Sequence, residues 1–374
     1  MAEWFGKDVF KLGFGLMRLP KLEDGVSIDI PQVCKMVDLF IEAGGTYFDT
    51  AYVYDGGRSE EAAKAALVDR YPRDKFTLAT KLNARVSTSE ENAKQQLFTS
   101  LERTGAGYFD YYLLHAIGRG NIDTYNKYHI WDFVKEQKEA GLIRHWGFSF
   151  HADPELLDEL LTEHPDVEFI QLQLNYADWD SEQVQSRKCW EVARKHGVSV
   201  TVMEPVKGGA LANPIPAVQE IFKAADPDVS PASWAIRYVA SLEGIITVLS
   251  GMSNVEQMED NISFMKNFKP YTEDEYKVIE KVKEAMAAVP TIACTACHYC
   301  TDGCPMSIPI PEIFSARNQQ LVYNTIARAK NDYARATSEK GKASDCIQCG
   351  QCEAACPQGL PIITLLQECA ENLE

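Results

Sequence analysis

The chain has 374 residues, 45% of them apolar, and a formal charge of −17 at pH 7. That length allows two domains, or one large domain with an appendage. The acidic field, offset by no basic stripe, excludes a nucleic-acid partner, and no uncharged apolar run approaches the roughly 20 residues that span a bilayer. The opening segment MAEWFGKDVF lacks the basic-then-apolar pattern of a secretory leader, so a soluble, cytoplasmic protein is expected.

Up to about residue 285, short apolar β-rich runs alternate with amphipathic stretches. Strands are expected at 11–17, 46–50, 76–81, 110–114, 144–149, 168–173, 199–203 and 245–250. Helical patterns fall at 31–44, 59–70, 89–105, 128–141, 154–164, 181–197 and 230–242, several of them ending in a glycine stop. Eight strands with helices between them predict an α/β fold, a TIM (β/α)8 barrel, over 1–285. A proline-punctuated junction at 268–294 leads into a second, mainly helical domain over 286–374, where 311–336 reads as one helix between two cysteine-rich stretches. No internal repeat is expected beyond those doubled cysteines.

A barrel of this kind carries its chemistry at the C-terminal ends of the strands. Asp49 ends the second strand, Tyr54 follows in the next loop, Lys81 ends the third strand and His115 ends the fourth. Singly, each has a plain explanation: a helix cap, a rim aromatic, a surface charge, a core histidine. Together at the ends of three successive strands they form a proton-donating group. A lysine ammonium stabilises phenolate and lowers the tyrosine pKa, the aspartate orients the lysine, and the histidine hydrogen-bonds a substrate oxygen.

These four residues resemble the Asp, Tyr, Lys and His tetrad of the aldo-keto reductases. The resemblance runs over roughly 8–265, through LGFGLMRLP, GFS (147–149), IQLQLNY (170–176), EPVKGGAL (204–211) and SGMSNVEQMEDNI (250–262), in the family's order. It implies reduction of an aldehyde or ketone, or oxidation of the alcohol, with NADP(H) or NAD(H) extended across the barrel mouth. By matched position, Ser149 and Gln171 hold the nicotinamide carboxamide and Met203 faces the ring. Pro205, Val206, Lys207 and Gly208 line the pyrophosphate. Ser250, Gly251 and Ser253 approach the adenosine phosphate end, where the helix N-terminus after SGMSN supplies backbone donors, and Gln257 and Asn261 lie near the adenine. Many relatives have tyrosine at Met203 and serine at Glu204, and a Lys and an Arg at Gly251 and Gln257 that grip a 2′-phosphate, so NAD enters beside NADP as the expected cofactor. Arg18 and Trp179 are expected to line the substrate pocket.

The second domain holds two copies of C-x2-C-x2-C-x3-C-P: Cys294, Cys297, Cys300, Cys304 with Pro305, and Cys346, Cys349, Cys352, Cys356 with Pro357. Three thiolates within seven residues reach three corners of one cubane, and the fourth, held back by proline, is placed to reach the other cluster. The expected sets are Cys294, Cys297, Cys300 with Cys356, and Cys346, Cys349, Cys352 with Cys304, binding two 4Fe-4S clusters. Zinc modules usually present separated ligand pairs, and disulfides suit a secreted chain. The remaining Cys34, Cys189 and Cys369 are expected to pack as small apolar groups. With this domain attached, the chain resembles the ferredoxin-fused branch of the aldo-keto reductases.

A nicotinamide passes two electrons as hydride and a cubane passes one, and the flavin that usually converts between them has no visible motif here, though flavin is not excluded. Three readings follow. In the first, a nicotinamide-dependent carbonyl reductase has clusters that exchange electrons with a ferredoxin or other electron-transfer protein. In the second, cluster electrons drive the barrel site past a weak nicotinamide site. In the third, the chain is an electron-transfer subunit with structural clusters.

Overall fold

The computed structural model describes residues 10–374. The opening segment, residues 1–9, for which no secretory leader is expected, lies outside the described residues. Two compact units are resolved: one runs up to Gly208 and includes Ala232–Tyr276, and the other comprises Gly209–Pro231 and Lys277–Glu374.

In the first unit, β1 (Leu12–Gly15), β2 (Tyr47–Asp49), β3 (Thr77–Leu82), β4 (Phe109–Ile117), β5 (Ile143–Phe150), β6 (Phe169–Gln173), β7 (Ser199–Met203) and β8 (Ile245–Ser250) pair in parallel and close into a barrel in chain order. Alternation along each strand divides the side chains. Tyr47, Ala79, Tyr111, Leu113, Phe169, Ile246 and Leu249 pack together as one buried cluster. Phe14 and Phe48 face outward onto Phe40 of α1 (Ile30–Glu42), with ring centroids 6.0 and 5.2 Å away. Gly147 on β5 permits a close approach of two strands, because a Cβ there would stand 1.9 Å from the Phe169 carbonyl oxygen.

The helices differ from the sequence reading where local turns intervene. The stretch 59–70 divides into α2 (Arg58–Ala63) and a π-helical turn over Lys64–Val68. It is followed by α3 (Glu90–Thr104), capped by Ser89. An extra short helix, α4 (Ile122–Lys127), precedes α5 (Ile130–Glu139), and α6 (Pro154–Glu163) starts on the Asp153 cap. The helix expected from 181 begins only at Ser186 as α7 (Ser186–Lys195), because Ser181 Oγ accepts from the Gln183 and Val184 amides and Gln185 is left-handed at φ 53°. Four further helices are α8 (Pro216–Ala225), α9 (Pro231–Ala240), α10 (Val255–Met265) and α11 (Glu273–Ala287). The last lies within the proline-punctuated junction: Thr272 and Glu275 exchange side-chain to backbone hydrogen bonds at its start, a reciprocal cap legible as T-x-x-E.

The second unit is helical. After α12 (Tyr299–Asp302), the single helix expected over 311–336 is two, α13 (Ile310–Tyr323) and α14 (Ile326–Ala336), parted by Asn324 at φ 53°. Asparagine tolerates the left-handed cap that ends a helix. Then α15 (Gln351–Ala355) and α16 (Ile362–Leu373) follow. The repeat is longer than the cysteines. Cys294 and Cys346 stand 52 positions apart, and the same offset relates α12 to α15 and the start of α13 to that of α16. It also relates the left-handed residues Ala296 to Gln348, His298 to Gly350 and Ser307 to Gly359. Its weak trace in sequence is S-I-P-I against G-L-P-I. Among the described residues no helix is long and apolar enough to cross a membrane.

Candidate active site and cluster loops

Lys81 lies fully buried on β3. Its ammonium donates to Asp49 Oδ1 at 2.5 Å, to the Thr50 carbonyl at 2.7 Å and to Tyr54 Oη at 3.3 Å. Three donors thus meet three acceptors, which an ammonium buried this deeply requires. Gln171 Nε2 reaches the other Asp49 oxygen at 3.5 Å. The Tyr54 and His115 rings stand edge to face with centroids 5.6 Å apart. All four candidate residues therefore converge at one end of the barrel.

Electrostatics refines the sequence reading. Burial pushes the Asp49 carboxyl up, against the pull of Lys81. Burial pushes Lys81 down, but the Asp49 carboxylate outweighs it and leaves the ammonium favoured. The Tyr54 hydroxyl was expected to be lowered and is instead raised, because burial outweighs the Lys81 charge that opposes it. Burial, with Lys81 and His151 beside it, holds His115 well below the usual histidine value, so its ring is neutral at pH 7. Its Nδ1 is buried without a hydrogen-bond partner. A neutral tyrosine and a neutral imidazole are both suited to donating hydrogen bonds to one oxygen.

The residues matched to a nicotinamide site fall around the same mouth. Ser149 and Gln171 are register neighbours across β5 and β6, both buried. Ser149 Oγ accepts from the Ala116 amide at 2.7 Å, at a bulge of β4 where Ala116 is left-handed. Met203 ends β7, half-buried. Glu204 follows at φ 56°, its carbonyl accepting from Asn175 Nδ2 at 3.1 Å and its carboxylate 3.7 Å from Arg18. After buried Pro205 and half-buried Val206, Lys207 pairs with Asp178 at 2.5 Å, and Gly208 is exposed. Asp178 was not singled out from sequence. It is buried and also accepts from Gln173 and Asn175 at 2.9 and 2.8 Å, and its signal was the Asx turn N-Y-A-D.

The remaining matched positions are more self-contained. Asn261 donates to Ser250 Oγ at 2.8 Å, Gln257 Oε1 accepts from the Ser253 amide at 2.8 Å, and Asn254 caps α10. Gly251 lies against the stem of Arg18. Trp179 packs with Trp190 and Tyr238, at centroid distances of 5.7 and 6.0 Å.

In the second unit the thiols gather around two spaces. One is lined by Cys294, Cys297, Cys300 and Cys356, with Phe314, Leu360 and Ile362. Another is lined by Cys304, Cys346, Cys349 and Cys352, with Met306, Ile308 and Leu366. Among the described residues no His, Cys, Asp or Glu group is drawn tightly enough to hold a single metal ion. Four thiols ringing a space fit a polynuclear cluster better than one tetrahedral zinc. Left-handed residues stand between successive cysteines, at Ala296, His298, Gln348 and Gly350, a backbone conformation that recurs in anion-binding turns. Burial pushes the Cys300 thiol up to about 11, so holding metal requires its proton to leave. Cys34 is half-buried, and Cys189 and Cys369 are buried with thiols pushed to about 12, as apolar packing implies.

An eight-stranded parallel barrel with polar residues at its strand ends, followed by paired four-cysteine loops, defines an oxidoreductase with an iron-sulfur appendage. The family model for the aldo/keto reductase family matches residues 11–284, and one for a 4Fe-4S dicluster domain matches 293–361. The chain belongs to the aldo/keto reductase family, and it is an oxidoreductase acting on carbonyl and alcohol groups. It is 27% identical over 304 residues to an uncharacterized oxidoreductase of Bacillus subtilis, YqkF, covering 73% of this chain and 92% of that one. It is 31% identical over 228 residues to an aldo-keto reductase of Mycolicibacterium vanbaalenii, covering 59% and 74%. The holo form of aldo-keto reductase AKR11C1 from Bacillus halodurans superposes with a TM-score of 0.59 at 25% identity, covering 73% and 91%. An aldo-keto reductase from Klebsiella pneumoniae in complex with NADPH shares the fold, with a TM-score of 0.60 at 18% identity over 74% and 91%.

Proposed function

We propose that a barrel domain over 1–285 reduces an aldehyde or ketone, or oxidises the alcohol, with NAD(P)H, and that a domain over 286–374 exchanges electrons with a ferredoxin or other electron-transfer protein. The observation that carries the reading is the Lys81 ammonium bonded at once to Asp49, Thr50 and Tyr54 beside a neutral His115. Ser149 and Gln171 orient a nicotinamide, which when bound supplies the hydride. Tyr54 gives its proton to the carbonyl oxygen, Lys81 stabilises the phenolate left behind, Asp49 fixes Lys81, and His115 donates a hydrogen bond to the same oxygen. Both cysteine sets hold 4Fe-4S clusters, which supply one-electron exchange.

The test follows NAD(P)H oxidation against a panel of aldehydes and ketones. Tyr54→Phe is expected to lower kcat on the order of a hundred- to ten-thousandfold while leaving the nicotinamide Kd in place. Turnover at the wild-type level in that variant overturns the reading.

A further inference from the structure

Behind the candidate site, on the helix side of β3, lies a buried carboxylate that the chemistry above does not use. Glu60, in the first turn of α2, is fully buried. Its Oε1 accepts from Thr80 Oγ1 at 2.7 Å, and Thr80 is the residue before Lys81. Its Oε2 pairs with Arg103 at 3.1 Å, from the last turn of α3. The same Arg103 nitrogen donates to the Tyr52 carbonyl at 3.0 Å, two residues before Tyr54, and the guanidinium lies over the Tyr52 ring at 4.6 Å. Next to Glu60, Ser59 Oγ is 2.7 Å from the hydroxyl of Thr50, the residue after Asp49, and donates to the Leu16 carbonyl at 2.9 Å. Two consecutive residues of α2 thus touch the chain neighbours of Asp49 and Lys81 and, through Arg103, the segment that carries Tyr54.

The turn beyond Tyr54 needs such an anchor. Asp55, Gly56 and Gly57 are left-handed at φ 52°, 66° and 95°. The two glycines adopt this conformation freely, while Asp55 carries the cost of a left-handed non-glycine residue and persists there because its surroundings fix it. Asp55 is held by Lys21 and by Arg58 at 2.6 Å. Gly57 is the place where Arg103 passes, since a Cβ there would stand 2.6 Å from the guanidinium carbon. The 3.3 Å contact from Lys81 to Tyr54 is at the long end of a hydrogen bond, so a small shift of the 52–54 segment breaks it.

We infer that Ser59, Glu60 and Arg103 form a brace that sets the distance between Tyr54 and Lys81, with Glu60 and Arg103 as positioning residues for the proton donor. The inference rests on the proposed role of Tyr54. Without the brace the barrel remains, but the Lys81 charge reaches Tyr54 less well, and displacement near 1 Å costs on the order of a hundredfold in rate.

The test uses the full holoprotein labelled with 13C at tyrosine Cζ, in which the Tyr54 line is assigned by its loss in Tyr54→Phe. Glu60→Gln and Arg103→Met are expected to raise the Tyr54 titration midpoint by about half a pH unit or more. They are also expected to lower kcat on the order of ten- to a hundredfold, with the NAD(P)H Kd changed less than about twofold. Arg103→Lys keeps a charge facing Glu60 but lacks the planar guanidinium that lies over the Tyr52 ring. It supplies the same readout should Arg103→Met not fold, and its Tyr54 midpoint is expected to rise too. Variants that lose thermal stability while keeping the wild-type midpoint and kcat overturn the brace. If the wild-type protein turns over no carbonyl, the proposed function fails separately, and the Tyr54 midpoint alone decides the brace.

Discussion

Tyr54 Oη lies 3.3 Å from Lys81 Nζ, and the same nitrogen is 2.5 Å from Asp49. The phenol and the carboxylate therefore share one buried cation, and removing it acts on both. In Lys81→Met, Asp49 loses its counter-ion in the core, a loss of about 3–5 kcal/mol. Tyr54 also loses the charge that opposes its burial, so its pKa rises further and kcat falls on the order of a hundred- to ten-thousandfold. Adding Asn at position 49, as Asp49→Asn with Lys81→Met, is expected to restore much of the stability but none of the turnover. Urea unfolding and steady-state kinetics on the single and double variants separate the two effects.

The barrel was legible because short apolar β-rich runs alternate with amphipathic stretches, several of which end in a glycine stop, and β7 and β8 fall where the sequence placed them. The four candidate residues were legible for a related reason: strand ends are readable, and the barrel sends strand ends to one mouth. What escaped depends on contacts between distant segments. The Asp178 and Lys207 pair joins two loops, and Glu60 looked like one more charge on an amphipathic helix until β3 and α3 were folded against it. The raised pKa of Tyr54 was hidden for the same reason, since burial is a property of the whole mouth. The cysteine motif, by contrast, carried its geometry locally, yet the break at Asn324 depends on one left-handed residue that a helical pattern passes over.

Cys356 lines the space formed by the first motif and Cys304 that formed by the second. The crossing makes a specific prediction for cysteine replacement. Cys356→Ser is expected to lose the cluster of Cys294, Cys297 and Cys300, while Cys304→Ser loses that of Cys346, Cys349 and Cys352. Iron content in each falls from about eight to about four atoms per chain. Mössbauer or EPR spectra of the two variants should differ from each other and add up to the wild-type signal. Loss of the cluster belonging to the mutated motif itself contradicts the crossing.

His115 gives a pH dependence with a definite sign. Its folded pKa lies well below the unfolded value of 6.5, so between the two the unfolded chain binds more protons. Its contribution to stability is complete above pH 6.5 and is lost as pH falls from there toward the folded value. His151 and His164 are lowered by burial in the same sense. The melting temperature of the wild type is expected to fall between about pH 7 and pH 5.5, and His115→Gln to flatten that slope. A slope unchanged in His115→Gln would mean that the ring is not held neutral by the fold.

Gly341 sets the last prediction, through backbone contact rather than charge. A Cβ at this position would stand 2.2 Å from the Met306 carbonyl oxygen and 3.1 Å from Ile308. Met306 and Ile308 line the space of Cys304, Cys346, Cys349 and Cys352, and neither lines the other. Gly341→Ala must therefore displace the segment that follows Cys304, because the obstacle is backbone and cannot rotate away. Overpacking of this kind costs about 1–3 kcal/mol, and here the strain falls on one cysteine set. Iron release to a chelator is expected to become biphasic in Gly341→Ala, with one cluster lost faster than in the wild type and the other unchanged. Cluster assignment comes from Cys304→Ser, whose remaining cluster should release iron at the slower of the two rates.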